Sequence, residues 1–209
     1  MDRKGILLVV SGFSGAGKGT LMKELVNRYD NYALSISATT RSPREGEVDG
    51  REYFFRTKEE FEQMIADEAL IEHACYVGNY YGTPRAYVEE QLALGRDVIL
   101  EIEIQGALQI KKRFPDTLLL FVSTPDAETL KNRLIGRGTE SLDVVEKRLS
   151  RASEEAEGIE NYDYFIINDD LDTCVTQVHQ IIQGEHSRVS RNLELINTIK
   201  KDISKFQKG

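Results

Sequence analysis

A chain of 209 residues carries 35 acidic against 27 basic side chains, a formal net charge of −8. This length supports one compact domain with a full hydrophobic core. The negative balance argues against nucleic acid or an anionic membrane surface as the main partner, and no apolar run approaches the ~20 residues that span a bilayer. Met1-Asp2-Arg3-Lys4-Gly5 leads straight into the first apolar run and leaves no room for a signal peptide, so a cytoplasmic location is expected. Cys75 and Cys174, far apart and outside any CxxC, are expected as small reduced core residues. His73, His179 and His186 show no metal-ligand spacing and are expected to be structural or on the surface.

Ile6-Leu7-Leu8-Val9-Val10-Ser11 is an apolar, β-branched run that reads as a buried strand. Gly12-Phe13-Ser14-Gly15-Ala16-Gly17-Lys18-Gly19-Thr20 follows, and then Leu21, Met22, Leu25 and Val26 recur at helical spacing. Strand, glycine loop and helix in that order are the context of a P-loop. Successive backbone N–H groups there point at phosphate oxygens, helped by the helix N-terminus. Lys18 supplies a point charge between β- and γ-phosphates. The usual pattern has Ser or Thr directly after the lysine; Gly19 stands there, and the hydroxyl comes one residue later at Thr20. A metal ion is therefore expected to be held mainly by phosphates and water. By itself the loop says only that a nucleoside triphosphate binds.

Ala33 to Ser37 reads as a second short strand. It runs into a loop punctuated by Pro43, Gly46 and Gly50, which displays Arg41 and Arg44 from a constrained backbone. Guanidinium groups bind phosphate bidentately and keep their charge at any working pH; two solvated surface arginines are the alternative. Glu52 to Arg56 reads as an aromatic strand. Thr57 is an N-cap with Glu59 and Glu60 in the first turn of a helix carrying Phe61, Met64 and Ile65. Leu70 to Val77 reads as a strand, Gly78 to Pro84 as a hydroxyl-rich turn, and Pro84 opens a helix closed by Gly95. This stretch looks like a mixed α/β insertion into an alternation of parallel strands and helices.

The alternation resumes with the strand Val98 to Glu103, whose Glu101 and Glu103, two apart, are expected on one sheet face. Acids at a strand end beside a P-loop orient hydrated Mg²⁺ or accept from ligand donors; solvated acids on an edge strand are the alternative. A helix from Gln105 to Phe114, a buried strand from Thr117 to Ser123 and a helix begun at Thr124-Pro125-Asp126 follow. Gly136 and Gly138 flank Arg137, and a second helix capped at Ser141 carries Lys147, Arg148 and Arg151. Arginines on a glycine-hinged hairpin suit a lid over phosphates, against the alternative of a charged surface helix. Tyr164 to Asp170 reads as the last core strand, covered by a helix from Leu171 to Ile182. Val189, Leu193, Ile196, Ile199 and Ile203 then mark an amphipathic C-terminal helix that packs on its own chain or on a second subunit.

From the P-loop to about residue 184 these residues resemble the guanylate kinases. The resemblance is carried by Ser35 to Glu47 with Gly50 and Tyr53, by Gly78-Asn79-Tyr80-Tyr81-Gly82, by Arg133 to Thr139 and by Ile167-Asn168-Asp169-Asp170. It implies an α/β fold with a P-loop parallel sheet flanked by helices, an inserted mixed α/β GMP-binding region and a helical lid. Within a single domain spanning 1–209, the core comprises 1–34, 96–125 and 157–184, the GMP-binding region 35–95, the lid 126–156 and the C-terminal helix 185–209. The implied reaction moves the γ-phosphoryl of ATP to GMP, giving ADP and GDP, with Mg²⁺ as cofactor, in a monomer or homodimer. Arg41, Arg44, Tyr53 and Tyr81 match positions that hold the GMP phosphate, and Ser37, Glu72 and Thr83 positions around guanine. Glu101 and Glu103 match a nucleotide-site pair that is often Asp-x-Asp; Arg133, Arg137 and Arg148 match the arginines that clamp the moving group, and Asn168 and Asp169 a segment near adenine. Lys18, Arg44, Arg137 and Arg148 form the implied catalytic set. No direct protein ligand to the metal is assigned, Thr20 and Glu101 being the nearest candidates. Phe13 stands where the family usually has Pro. Two alternatives remain: a non-enzymatic protein-binding module of the same fold, and a phosphotransferase with another phosphorylated acceptor.

Overall fold

The computed structural model describes residues 4–76, 78–136 and 142–207. Its central layer is a five-stranded parallel sheet built from β1 (Leu7–Gly12), β2 (Tyr32–Leu34), β7 (Asp97–Glu101), β8 (Leu118–Ser123) and β9 (Tyr164–Ile167), in the order β2-β7-β1-β8-β9. Strands covered on both faces read as continuous apolar runs, and Leu8, Val9 and Val10 are all fully buried. Their side chains alternate between two cores. Leu8 and Val10 face Leu21, Met22 and Leu25 of α1 (Lys18–Arg28) and Val175, Val178 and Ile182 of α7 (Leu171–His186). Val9 faces Val88 of α3 (Arg85–Ala93) and Ala107 and Ile110 of α4 (Ile104–Arg113).

The insertion forms a second, mixed sheet from β3 (Ala38–Thr39), β4 (Phe54–Phe55), β5 (Leu70–Tyr76) and β6 (Asn79–Pro84), in the order β4-β3-β6-β5. Helix α2 (Lys58–Ala66) covers it, opened by the expected N-cap Thr57, which forms a capping box: Thr57 accepts from the Glu60 N–H while Glu60 accepts from the Thr57 N–H. Strand β5 leans on α4, where the Arg113 guanidinium donates to the Ile71 carbonyl at 2.9 Å. Helices α5 (Ala127–Gly136) and α6 (Leu142–Ala156) bridge β8 and β9 and share a small apolar core of Leu130, Leu134, Val145 and Ala152.

Several sequence expectations change. The run expected as one strand, Ala33 to Ser37, is cut short: β2 ends at Leu34 in the parallel sheet, Ser35 to Ser37 lie in neither sheet, and β3 begins at Ala38 in the second one. The segment expected as a turn, Gly78 to Pro84, is mostly strand β6. Tyr and Thr favour the pleated surface, and Gly82 admits the close approach, since a Cβ there would lie 2.9 Å from the Glu72 carbonyl oxygen. Strand β7 stops at Glu101, and Glu103 is the residue that caps α4, so the shared-face argument for the two acids fails. Cys75 is exposed, not a core residue, whereas Cys174 is buried. The C-terminal helix α8 (Leu193–Ser204) leaves Leu193, Ile199 and Ile203 exposed on the chain. The Arg137 turn and the Ser141 cap lie outside the described residues. Among those residues, no helix is long and apolar enough to cross a membrane.

Candidate functional site

The carboxyl ends of β1, β7, β8 and β9 converge on the P-loop. Gly17 immediately precedes α1 with φ of +87°, a left-handed conformation that strains any residue bearing a Cβ. A Cβ there would also lie 2.7 Å from Asn168 Nδ2. Asn168 is buried just beyond β9; its amide donates to the Ala16 carbonyl at 2.8 Å and its backbone N–H to Ser123 at 2.8 Å. It thereby ties the loop backbone to the ends of β8 and β9, while neighbouring Asp169 is exposed. Lys18 Nζ donates to the carbonyls of Gly12 at 2.7 Å and Phe13 at 3.1 Å, so its ammonium is held at the loop mouth.

A cavity of about 610 Å³ opens beside the loop, lined among others by Ser14, Lys18, Glu101, Glu103, Arg148 and Arg151. Glu101 is open to this cavity but has protein around most of its carboxylate; that desolvation raises its pKa above the ordinary 4.5, opposed by Lys18. Gly19 and Thr20 are exposed in the first turn of α1, and a Cβ on Gly19 would sit 3.8 Å from Glu101 Oε2. The lid crosses the cavity on polar contacts. The Arg148 guanidinium donates to the Ser14 hydroxyl, and Arg151 pairs with Glu103 at 2.5 Å and with Glu155 at 3.2 Å. Arg133, partly exposed in the last turn of α5, is not one of the residues lining this cavity, and Arg137 lies outside the described residues.

The remaining predicted residues gather on the second sheet. Glu72, 6% exposed on β5, accepts from the Thr83 hydroxyl of β6 at 2.7 Å. Burial raises its pKa, with Thr83 opposing. Its other carboxylate oxygen approaches the start of α4, where a Cβ on Gly106 would be 3.2 Å away, so Glu72 stands at the junction with the core. Arg41 donates to both carboxylate oxygens of Glu47 at 2.9 Å and lies over the rings of Tyr53 at 5.3 Å and Phe55 at 5.8 Å. The Arg44 N–H also donates to Glu47, at 2.7 Å, and is the foremost cause holding that carboxyl below its usual pKa. Tyr53 and Tyr81 meet edge to face at 6.1 Å, and Ser37 is partly buried just before β3.

Sequence reasoning places Arg151 only on the lid helix, not in the site, and names Glu47 only within the resembling stretch Ser35 to Glu47, with no role of its own. The spacing of Arg148, Arg151 and Glu155 puts all three on one face of α6, a legible signal. Glu47 sits in a loop without periodicity, and nothing local marks it out.

Strand, glycine loop and helix at the carboxyl edge of a parallel sheet place the chain among the P-loop nucleotide-binding proteins. Known proteins narrow that class. The guanylate kinase family model matches residues 4–185. The chain is 53% identical over 191 residues to the guanylate kinase of Bacillus anthracis, covering 91% of this chain and 93% of that protein. It is 53% identical over 194 residues to that of Clostridioides difficile (strain 630), covering 93% and 95%. The crystal structure of guanylate kinase from Anaplasma phagocytophilum matches with a TM-score of 0.73 at 30% identity, over 90% of this chain and 89% of that one. The chain belongs to the guanylate kinase family.

Proposed function

We infer that this chain transfers the γ-phosphoryl of ATP to GMP through a cleft whose two halves bind phosphate by different means. The observation that carries the residue assignments is the pairing of a P-loop cavity, holding Lys18, Glu101 and Arg148, with a buried carboxylate, Glu72, at the junction to the second sheet.

The ATP half is Gly12 to Thr20. Backbone N–H groups cradle the phosphates and Lys18 leaves its loop carbonyls for the β- and γ-oxygens. Asn168 shapes the loop through Ala16, a supporting contact. The GMP half places Arg41, Arg44, Tyr53 and Tyr81 around the acceptor phosphate, with Glu47 framing both arginines. Ser37, Glu72, Thr83 and Glu103 surround guanine. Guanine presents N1–H and the 2-amino group side by side, and an acceptor-only carboxylate takes both. Adenine offers an unprotonated N1 and meets acceptor with acceptor. Thr83 occupies one Glu72 oxygen and fixes the carboxylate's orientation.

A GMP phosphate oxygen attacks the γ-phosphorus as the bond to the β,γ-bridging oxygen breaks, and ADP leaves. The nucleophile is already anionic, so no general base is required. Alignment and charge neutralisation do the work, from Lys18, Arg44 and Arg148, with Arg137 added on sequence grounds. The residues present fit Mg²⁺. Thr20 and Glu101 offer one hydroxyl and one carboxylate beside the loop, a sparse oxygen set suited to an ion that keeps its waters and binds substrate phosphates. When bound, Mg²⁺ neutralises charge on the β- and γ-phosphates.

A coupled ADP-release assay with GMP, dGMP, AMP, UMP and CMP as acceptors tests the reading. Turnover confined to the guanine nucleotides is expected. Equal turnover with AMP removes Glu72 as the selector, and no turnover with any acceptor points to a binding module.

A further inference from the structure

Three successive P-loop residues touch the lid. Phe13 packs against the lid's apolar core, where Leu149 joins Leu130, Leu134, Val145 and Ala152. The Ser14 hydroxyl accepts from Arg148 of α6. Gly15 lies under α5, where a Cβ would come 3.0 Å from Leu134 Cδ2. Phe13 also packs against the main core of β1, α1 and α7, and its ring meets the fully buried Phe121 of β8 edge to face at 5.0 Å. Among the described residues, Phe13 is the one side chain packed against both cores. Its carbonyl is engaged within the loop, accepting from Lys18 and from the Ala16 N–H at 3.0 Å.

We propose that Phe13 is a positioning residue that seats the lid on the P-loop, so that Arg148 reaches the transferring phosphoryl. The inference rests on the role given to Arg148 above. Arg148 lies on α6 between Val145 and Leu149, which belong to or pack on the lid's apolar core, and the Phe13 ring packed against that core sets the height of Arg148 over the loop. Edge-to-face rings and a shared apolar core hold one geometry better than a flexible ion pair does. The loop that binds the donor phosphates therefore also fixes the arm that neutralises them.

The test is a double-mutant cycle on the full chain with ATP, Mg²⁺ and GMP, alongside thermal unfolding of each variant. Phe13→Ala is expected to lower kcat roughly tenfold by misplacing a charged group, with the KM for GMP changed less than about twofold. Phe13→Leu should recover most of the loss. In an Arg148→Ala background, Phe13→Ala should cost less than about twofold more, because the group it positions is gone. Equal fold-losses in both backgrounds, or a lower Tm with kcat unchanged, overturn the proposal. Phe13→Val supplies the same cycle if the alanine variant does not fold. If Arg148→Ala alone leaves kcat at the wild-type level, the Arg148 assignment fails, and this proposal with it.

Discussion

In the proposed function, the P-loop and the second sheet meet phosphate in opposite ways. The loop uses backbone: glycine conformations aim N–H groups, and Asn168 braces the strand ends behind them. The second sheet uses side chains: Arg41 and Arg44 on a loop, steadied by one carboxylate, Glu47, and by the rings of Tyr53 and Phe55. A backbone site has its geometry fixed by the fold and carries little base specificity. A side-chain site is adjustable, and its selectivity resides in a few replaceable atoms. In the proposed division of labour, the first suits the donor and the second the acceptor.

Removing Lys18, the one charged side chain of the loop Gly12 to Thr20, gives the largest expected effect. Lys18→Met should reduce kcat by roughly 10²–10³-fold, the size found when one preorganised donor to a charge-developing oxygen is lost. Nucleotide binding should persist through the loop backbone, as measured by titration of ADP. Abolished ADP binding with no separate rate defect would mean that the loop relies on its lysine to bind at all.

Glu72→Gln tests the side-chain half. The amide gives one acceptor to two guanine donors, and kcat/KM for GMP is expected to fall by about 10²-fold while ATP affinity holds. Equal losses for both nucleotides would erase the distinction between the halves. The same substitution has a stability signature. Burial lifts the Glu72 pKa above its unfolded value, so on raising pH the unfolded chain loses this proton first. The folded state is favoured below the unfolded pKa and loses that advantage as pH rises through the folded one. The ligand-free variant should therefore melt higher than wild type near neutral pH, with the gap narrowing towards about pH 4. A gap independent of pH would show that Glu72 does not ionise with the fold.

Glu47→Gln loosens the frame without touching the arginines. A roughly tenfold rise in the KM for GMP, with kcat nearly unchanged, is expected from losing the charge-assisted pair in which one Arg41 nitrogen donates to both Glu47 oxygens. A fall in kcat alone would place Arg41 and Arg44 on the moving phosphoryl.

The same contrast decides what could be read from sequence. The P-loop, its strand and its helix were legible because backbone sites impose glycine positions and flanking periodicity. The Thr57 cap was legible for the same local reason. The second sheet was less so. Gly78 to Pro84 carries turn-type residues, yet the tertiary pairing of β6 with β3 and β5 overrides that local reading. Glu101 and Glu103 line one cavity, but not by sharing a strand face as the two-residue spacing suggests, since only Glu101 is in β7. Phe13 acts through Phe121 and the lid, more than a hundred positions along the chain, and Glu47 through an irregular loop; no periodic pattern reports either set of contacts.

The smallest effect belongs to the contact that ties the lid to the proposed acceptor side. Arg151 of the lid pairs with Glu103, next to α4, and both side chains keep substantial exposure, 38% and 54%. Exposed pairs contribute on the order of 0–1 kcal/mol, and salt screens them. Glu155 shares Arg151; its own pKa is raised by burial, against the opposing Arg151 charge. Arg151→Gln should therefore lower kcat/KM for GMP by about two- to fivefold at low ionic strength, with the deficit shrinking as salt screens the wild-type pair. The loss should appear with GMP and leave ATP titration unchanged, because Glu103 lies on the proposed guanine side. A salt-independent deficit, or one larger than the effect of Glu72→Gln, would make Arg151 a direct ligand of the substrates instead of a tie between lid and acceptor site.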